Sequence, residues 1–355
     1  MAIFSFASAQ APLPPSVLAE IRDDLGPRRS GLSLLDLPFS GGEFEDIRAG
    51  AEADLRALLG LGDDYRVLFL QGGATAMFSL APMNLLRRGE TADYVVTGLW
   101  SRRAAEAASS QIDVRMAATG DGRSLPPPEE WRLSADAAYL HLTSTETAEG
   151  LQYFVFPDLN GVPVVADMTA DFLTRPIPLA PFGLIYASAQ KNLGVAGLTI
   201  VVIHEKLLRR VASEVPAPFS FARQAEARSK VNTPPVFAIA VAAKMLRWLR
   251  AGGGLVAAEA RNARKAETLY SALAASDVYQ CPAEVENRSA VSVRFQLAEA
   301  AREPQFLREA EEAGFLHLKG HPAVGGLRAS LYNGVTQEAV EALADFLVDF
   351  AQRRG

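Results

Sequence analysis

Gly183-Leu184-Ile185-Tyr186-Ala187-Ser188-Ala189-Gln190-Lys191-Asn192-Leu193-Gly194 is an apolar run that stops abruptly at a lysine and is bounded by glycine. It reads as a buried strand that emerges into a loop at Lys191. A lysine so placed is desolvated enough to lose its proton, and the free amine is what attacks an aldehyde. A merely solvated lysine at a strand end is the plain alternative. Upstream, Val162-Pro163-Val164-Val165-Ala166-Asp167 is a second buried run, ending in a carboxylate. As neighbours the two strands present Asp167 and Lys191 at one sheet edge.

That pair meets the needs of pyridoxal phosphate. An ionised Asp against the pyridine nitrogen keeps the ring protonated, so that it accepts the electrons of a substrate carbanion. Asp167 as a helix N-cap or loop solvator is the competing reading. Residues 66–71 form a short buried strand that runs into Gly72-Gly73-Ala74-Thr75, with a helix over 76–86. Strand, glycine pair and helix start put free backbone N–H groups at one point, a ready phosphate cradle, although such a pair also serves as a simple turn. The stretch lacks GxGxxG spacing and a Walker lysine, which excludes a dinucleotide or P-loop site. A strand over 93–97 leads into Gly98-Leu99-Trp100-Ser101 and a helix over 102–109, and Trp100 either stacks on the pyridine ring or simply packs. A strand over 138–142 leads into Thr143-Ser144-Thr145-Glu146-Thr147, whose hydroxyls reach the ring oxygen or cap the backbone.

The remaining segments extend the alternation. Helices are expected over 43–59, 237–249 and 256–275, through Phe306 and Ala310, and over 337–350; strands are expected over 198–203, 290–295 (with an exposed face) and 327–331. The expected fold is α/β, with a largely parallel sheet, helices on both faces and a smaller C-terminal α+β lobe. With 355 residues, 49% apolar and 21% charged, the chain holds one large core and a smaller one. The division expected is an extended Pro-rich arm over 1–15, a large domain over 16–253 and a small domain over 254–355, broken at Gly252-Gly253-Gly254.

The net charge of -6 comes without a basic stripe, which argues against a nucleic-acid partner. Cys281 is the lone cysteine; it excludes an intramolecular disulfide and suits a reducing cytoplasm, while the four histidines lack metal-ligand spacing. No stretch approaches the ~18 apolar residues of a membrane helix, and the first residues do not resemble a secretory signal. A cytoplasmic protein without a metal or membrane partner is expected.

Together these stretches resemble the phosphoserine aminotransferase family, pyridoxal phosphate enzymes of fold type I. The resemblance runs from Phe4 to Phe350 and is carried by Glu43-Phe44-Glu45-Asp46-Ile47, Leu68-Phe69-Leu70-Gln71-Gly72-Gly73-Ala74-Thr75, Thr97-Gly98-Leu99-Trp100-Ser101, Ala166-Asp167-Met168, Ala189-Gln190-Lys191-Asn192-Leu193-Gly194, Asn232-Thr233-Pro234-Pro235 and Gly325-Gly326-Leu327-Arg328-Ala329-Ser330. It implies that Lys191 carries the cofactor as a Schiff base, that Asp167 meets the pyridinium, that Trp100 stacks on the ring and that Thr147 reaches the ring oxygen. Ala74, Thr75 and Gln190 would hold the phosphate, with Asn232 and Thr233 reaching over from the second subunit of a homodimer. Arg328 would receive the substrate α-carboxylate, a role suited to a guanidinium fork.

The departures bear on substrate. In the family the loop before Glu-Phe-Glu-Asp-Ile reads Ser-His-Arg-Ser-Lys, and its His-Arg pair grips the substrate; Phe39 and Ser40 stand there in this chain. A second His-Arg pair becomes His321-Pro322, and Thr145 replaces a family Asn. At roughly 1.5 to 3 kcal/mol for each charge-assisted hydrogen bond, two lost arginines remove about 10² to 10⁴ in affinity for a phosphate. Both phosphoserine and glutamate, the usual donor, are thereby put in doubt. The expectation is a transaminase for an amino or oxo acid without a phosphate, in a specialised biosynthetic pathway, with Phe39 and Pro322 lining a neutral pocket. Its rivals are phosphoserine aminotransferase with a rearranged site using Arg102, Arg103 or His321, and a cofactor-binding homologue without turnover. A desulfurase would need a mobile cysteine at the cofactor, and Cys281, followed by Pro282, is poorly placed.

Overall fold

The computed structural model describes residues 2–28, 30–159 and 161–354. Met1 and Gly355, at the ends of the expected arm and small domain, lie outside them. The strands are β1 (Phe4–Ser5), β2 (Tyr65–Gly72), β3 (Thr91–Val96), β4 (Asp113–Thr119), β5 (Ala137–Thr143), β6 (Thr145–Glu146), β7 (Leu151–Gln152), β8 (Val164–Asp167), β9 (Phe182–Ser188), β10 (Gly197–His204), β11 (Tyr279–Gln280), β12 (Ser292–Leu297), β13 (Phe315–Leu316) and β14 (Leu327–Ser330). The helices are α1 (Pro15–Asp24), α2 (Gly42–Leu59), α3 (Ala74–Leu85), α4 (Leu99–Ser109), α5 (Glu205–Leu208), α6 (Phe221–Glu226), α7 (Val236–Ala251), α8 (Gly254–Ala274), α9 (Glu303–Glu312) and α10 (Gln337–Arg354).

Seven strands form the central sheet in the order β2-β10-β9-β8-β5-β3-β4. Only β10 runs against its neighbours, so β2, β9, β8, β5 and β3 all end at one edge. Their side chains alternate between two cores. Phe69, Val95 and Ile185 face one that includes Phe44 and Leu55 of α2 and Ile239 and Leu246 of α7. Leu68, Tyr94 and Tyr186 face the other, with Phe78 of α3 and Ala104 of α4. Burial on both faces is why these strands read as continuous apolar runs. The fold is the expected α/β arrangement with a mostly parallel sheet covered on both faces.

A three-stranded antiparallel sheet, β11-β12-β14, packs with α8, α9 and α10 around Leu269, Phe295, Phe306 and Leu343. Its strand β12 begins at Ser292 rather than at residue 290, and its outer residues Arg294 and Gln296 are half-buried rather than exposed. The extended arm is tied down at its start. Phe4–Ser5 pairs in parallel with Phe315–Leu316, and Phe6 is buried in the same core. No helix among the described residues is long and apolar enough to cross a membrane.

Candidate active site

At the carboxyl edge of the central sheet the strand ends surround a cavity of about 320 Å³. Lys191 follows β9 in a turn closed by the Leu193 N–H donating to the Ala189 carbonyl at 2.9 Å. Asn192 pins that turn from below, donating to the Ala170 carbonyl at 2.7 Å and accepting from the Asn333 N–H at 3.1 Å. The turn must end in glycine: Gly194 has φ +139°, and a Cβ there would stand 2.8 Å from Val241 Cγ1. The Lys191 amine reaches into the cavity, 5.9 Å from the Trp100 ring centre and 6.0 Å from that of Tyr332. Lys191 is half-buried, so the full desolvation read from the strand end is not found; the cavity opens beside it.

Asp167 closes β8, in register with Tyr186 of β9 and Thr143 of β5. Only 5% exposed, it accepts the Thr169 N–H at 2.9 Å. Burial pushes its carboxyl pKa up, against the opposing hydrogen bonds of Thr169 and the charge of Lys191. A cationic N–H delivered into the cavity would relieve that cost.

Strand β2 ends at Gly72 and α3 starts at Ala74 with Gly73 as an N-cap that has no side chain to cap it. The Ala74 and Thr75 N–H groups therefore remain open to the cavity, which both residues line together with Ser188 and Gln190. The Ser188 hydroxyl bonds to Gln190 Oε1. Open N–H groups at a positive helix end, flanked by hydroxyl and amide groups, are a donor set that fits a phosphate.

The opposite wall is α4, which carries Trp100. Its N-cap, Gly98, likewise has no capping side chain, and two buried carboxylates from the β6–β7 hairpin take over. Glu146 accepts the Trp100 and Ser101 N–H groups, each at 2.8 Å, and Glu149 accepts that of Leu99 at 2.9 Å. A Cβ at Gly98 would lie 2.6 Å from Glu149 Oε2, so only glycine lets the two segments approach. Trp100 Nε1 donates to Thr147 Oγ1 at 2.9 Å, which orients the indole and leaves the Thr147 hydroxyl proton free to donate. Neither glutamate was anticipated from the sequence. The available signal was two acids spaced three apart in an otherwise apolar and hydroxyl-rich stretch.

Burial raises the Glu146 pKa from 4.5 to about 7, with Glu149 adding to the shift. The folded chain therefore holds a proton that the unfolded chain has released, and this group's contribution to stability falls as pH rises from 4.5 through about 7. Glu146→Gln is expected to flatten that part of the stability–pH curve. Glu146→Ala leaves two buried N–H groups unpaired and is expected to cost about 2–5 kcal/mol in urea unfolding at pH 7; a loss below about 0.5 kcal/mol would show that the cap carries no load.

Arg328 of β14 reaches the cavity from the small sheet. Its guanidinium donates to the Thr147 carbonyl at 3.1 Å and to Ser8 Oγ at 2.6 Å. Ser8 and Ala9 line the cavity, because the Ala11 N–H donates to the Gln190 carbonyl at 2.9 Å and holds the arm across the lysine turn. His321 sits edge-on to Trp100, with ring centres 6.0 Å apart. Ser8 escaped the sequence reading; a serine in a Pro-rich arm gives no signal of its own.

The profile of the class V aminotransferases matches residues 3–343. The chain belongs to that family. Phosphoserine aminotransferase of Laribacter hongkongensis is 47% identical to this aminotransferase over 360 residues, covering 100% of both chains. The structure of phosphoserine aminotransferase from Bacillus circulans subsp. alkalophilus superposes with a TM-score of 0.96 at 40% identity, covering 99% of this chain and 98% of that one. A pyridoxal-phosphate-bound phosphoserine aminotransferase of Trichomonas vaginalis gives 0.93 at 31% identity, covering 97% and 99%.

Of the residues singled out in the sequence, the aminotransferase gathers Ala74, Thr75, Trp100, Thr147, Asp167, Gln190, Lys191, His321 and Arg328 around one cavity. Others lie outside it. Phe39 packs half-buried against the main core and Ser40 is exposed. Asn232 accepts from Gln224 Nε2 at 3.1 Å, and the Thr233 carbonyl accepts from Gln71. Pro322 is exposed and Cys281 packs against the C-terminal core, where burial pushes its thiol pKa up.

Proposed function

We propose that this aminotransferase exchanges the amino group between phosphoserine and 2-oxoglutarate, with the cofactor bound through Lys191. Pyridoxal phosphate is the cofactor. The observation that carries the substrate is the 47% identity, over the whole of both chains, to a phosphoserine aminotransferase. That full-length likeness favours phosphoserine over the unphosphorylated substrate expected from Ser40 and Pro322.

When bound, the cofactor supplies an aldehyde that condenses with amino groups and a ring that withdraws electrons from the substrate Cα. The chain's own residues do the rest. The open N–H groups of Ala74 and Thr75, with Gln190, would hold the phosphate; Asp167, kept from water, would hold the proton on the pyridine nitrogen; Trp100 would cover the ring; and the Thr147 hydroxyl would donate to the ring oxygen. Arg328, already oriented by the Thr147 carbonyl and Ser8, binds the α-carboxylate with its fork and so aligns the Cα–H bond. Lys191, once its amine is free, removes the Cα proton and redelivers it.

A homodimer is part of this reading. Asn232 and Thr233 stand outside their own chain's cavity, which supports a role for one copy's pair in the phosphate cradle of the other. A cytoplasmic location is supported by the single free cysteine.

The test is an absorbance titration of the purified, cofactor-loaded protein with phosphoserine, glutamate, serine and alanine. Phosphoserine and glutamate are expected to convert the cofactor to its aminated form at low concentration. Conversion by a neutral amino acid, with phosphoserine inert, would return the assignment to an unphosphorylated substrate.

A further inference from the structure

If phosphoserine is the substrate, as proposed above, its phosphate needs a cation that Ser40 and Pro322 do not supply. The structure has one on α4. Arg103 lies one turn after Trp100, so the two share a helix face, and the Arg103 guanidinium carbon sits 5.2 Å from the Trp100 ring centre. Trp100 in turn touches His321. Trp100 and His321 both line the cavity; Arg103 is exposed beside them and is not itself a lining residue, and after burial the charges of Arg328 and then Arg103 hold the His321 imidazole below its ordinary pKa.

The two arginines of this helix turn have different surroundings. Arg102 bears electrostatically on Glu149, beneath the helix. Among the described residues Arg103 makes no salt bridge, and its contact with Trp100 leaves all its N–H donors available. His321 adds a further donor. Its Nδ1 accepts the Ala323 N–H at 3.1 Å, which sets the neutral ring's remaining proton on Nε2.

We infer that Arg103 is the specificity residue for the substrate's distal anion, with the Nε2–H of His321 beside it, while Arg328 takes the α-carboxylate. A planar guanidinium receives a phosphate or a carboxylate with the same fork, so one residue serves both phosphoserine and glutamate. The indole keeps the exposed Arg103 next to a residue that lines the cavity, without neutralising it.

The test compares wild type, Arg103→Ala, Arg103→Lys and Arg102→Ala, each loaded with cofactor. Dissociation constants for phosphoserine and for serine are read from the spectral half-reaction. Arg103→Ala is expected to weaken phosphoserine by about 10- to 100-fold, serine far less, and Arg103→Lys is expected to fall between. Equal losses for both ligands would mean that Arg103 acts only by supporting Trp100, and would overturn the assignment. So would an unchanged phosphoserine affinity, or a larger loss in Arg102→Ala. A wild-type protein inert to phosphoserine overturns the proposed substrate as well, and shows itself before any variant is compared.

Discussion

Lys191→Ala is expected to abolish the near-visible absorbance of lysine-bound pyridoxal phosphate and to slow transamination by about 10²- to 10⁴-fold or more, the range lost when a positioned proton-transfer group is removed. Among the described residues lining the cavity Lys191 is the one lysine, so none of them can take over the bond. The substitution is expected to leave the fold intact. The Lys191 turn is held by its backbone and by Asn192, and the side chain itself is half-buried beside open space. Lys191→Arg provides the control, since it keeps a cation near Trp100 and Tyr332 but offers no nucleophile at neutral pH. Persistence of the absorbance in the alanine variant would sink the site as drawn. Persistence in wild type without conversion by any amino acid would instead favour a cofactor-binding homologue without turnover.

What could be read in the sequence follows from burial on two faces. β2, β3, β5, β8, β9 and β10 carry mostly apolar, buried runs because their residues meet a core on either side, and such runs are visible without a structure. β4 pairs only with β3 and is largely exposed, with Ala117 its one buried residue, so Asp113–Thr119 carries no buried apolar run and was not anticipated. The site divides the same way. Asp167 and Lys191 stand at the ends of legible strands, and parallel pairing brings them to one edge. Ser8 and Glu146 reach the site through long-range hydrogen bonds to Arg328 and to the start of α4, contacts with no local pattern. For Phe39 the reading rested on alignment to a family motif; within its own chain that residue belongs to the core.

Asp167→Asn is expected to move function and stability in opposite directions. Burial raises the Asp167 carboxyl pKa, and the same holds for Asp171 nearby. A carboxylate whose folded pKa lies above the unfolded value of 3.8 binds its proton more tightly in the folded chain. Its contribution to stability is therefore greatest in acid and declines as pH rises from 3.8 through the raised folded value. When ionised, the Asp167 carboxylate of the cofactor-free protein is a buried charge that the charge of Lys191 only partly offsets. The amide keeps an acceptor for the Thr169 N–H without that charge, so apo Asp167→Asn should unfold at the same or higher urea concentration than wild type. The loaded enzyme should behave differently: with no anion to hold the proton on the pyridine nitrogen, the ring withdraws electrons poorly, and kcat is expected to drop by about 10²-fold or more. If the apo protein were instead destabilised by more than about 1 kcal/mol, Asp167 would be a structural acceptor with no net cost to relieve. An unchanged kcat would remove it from the chemistry. The expected combination marks a residue whose burial is tolerated for the sake of the group it meets, a trade of stability for activity at the site itself.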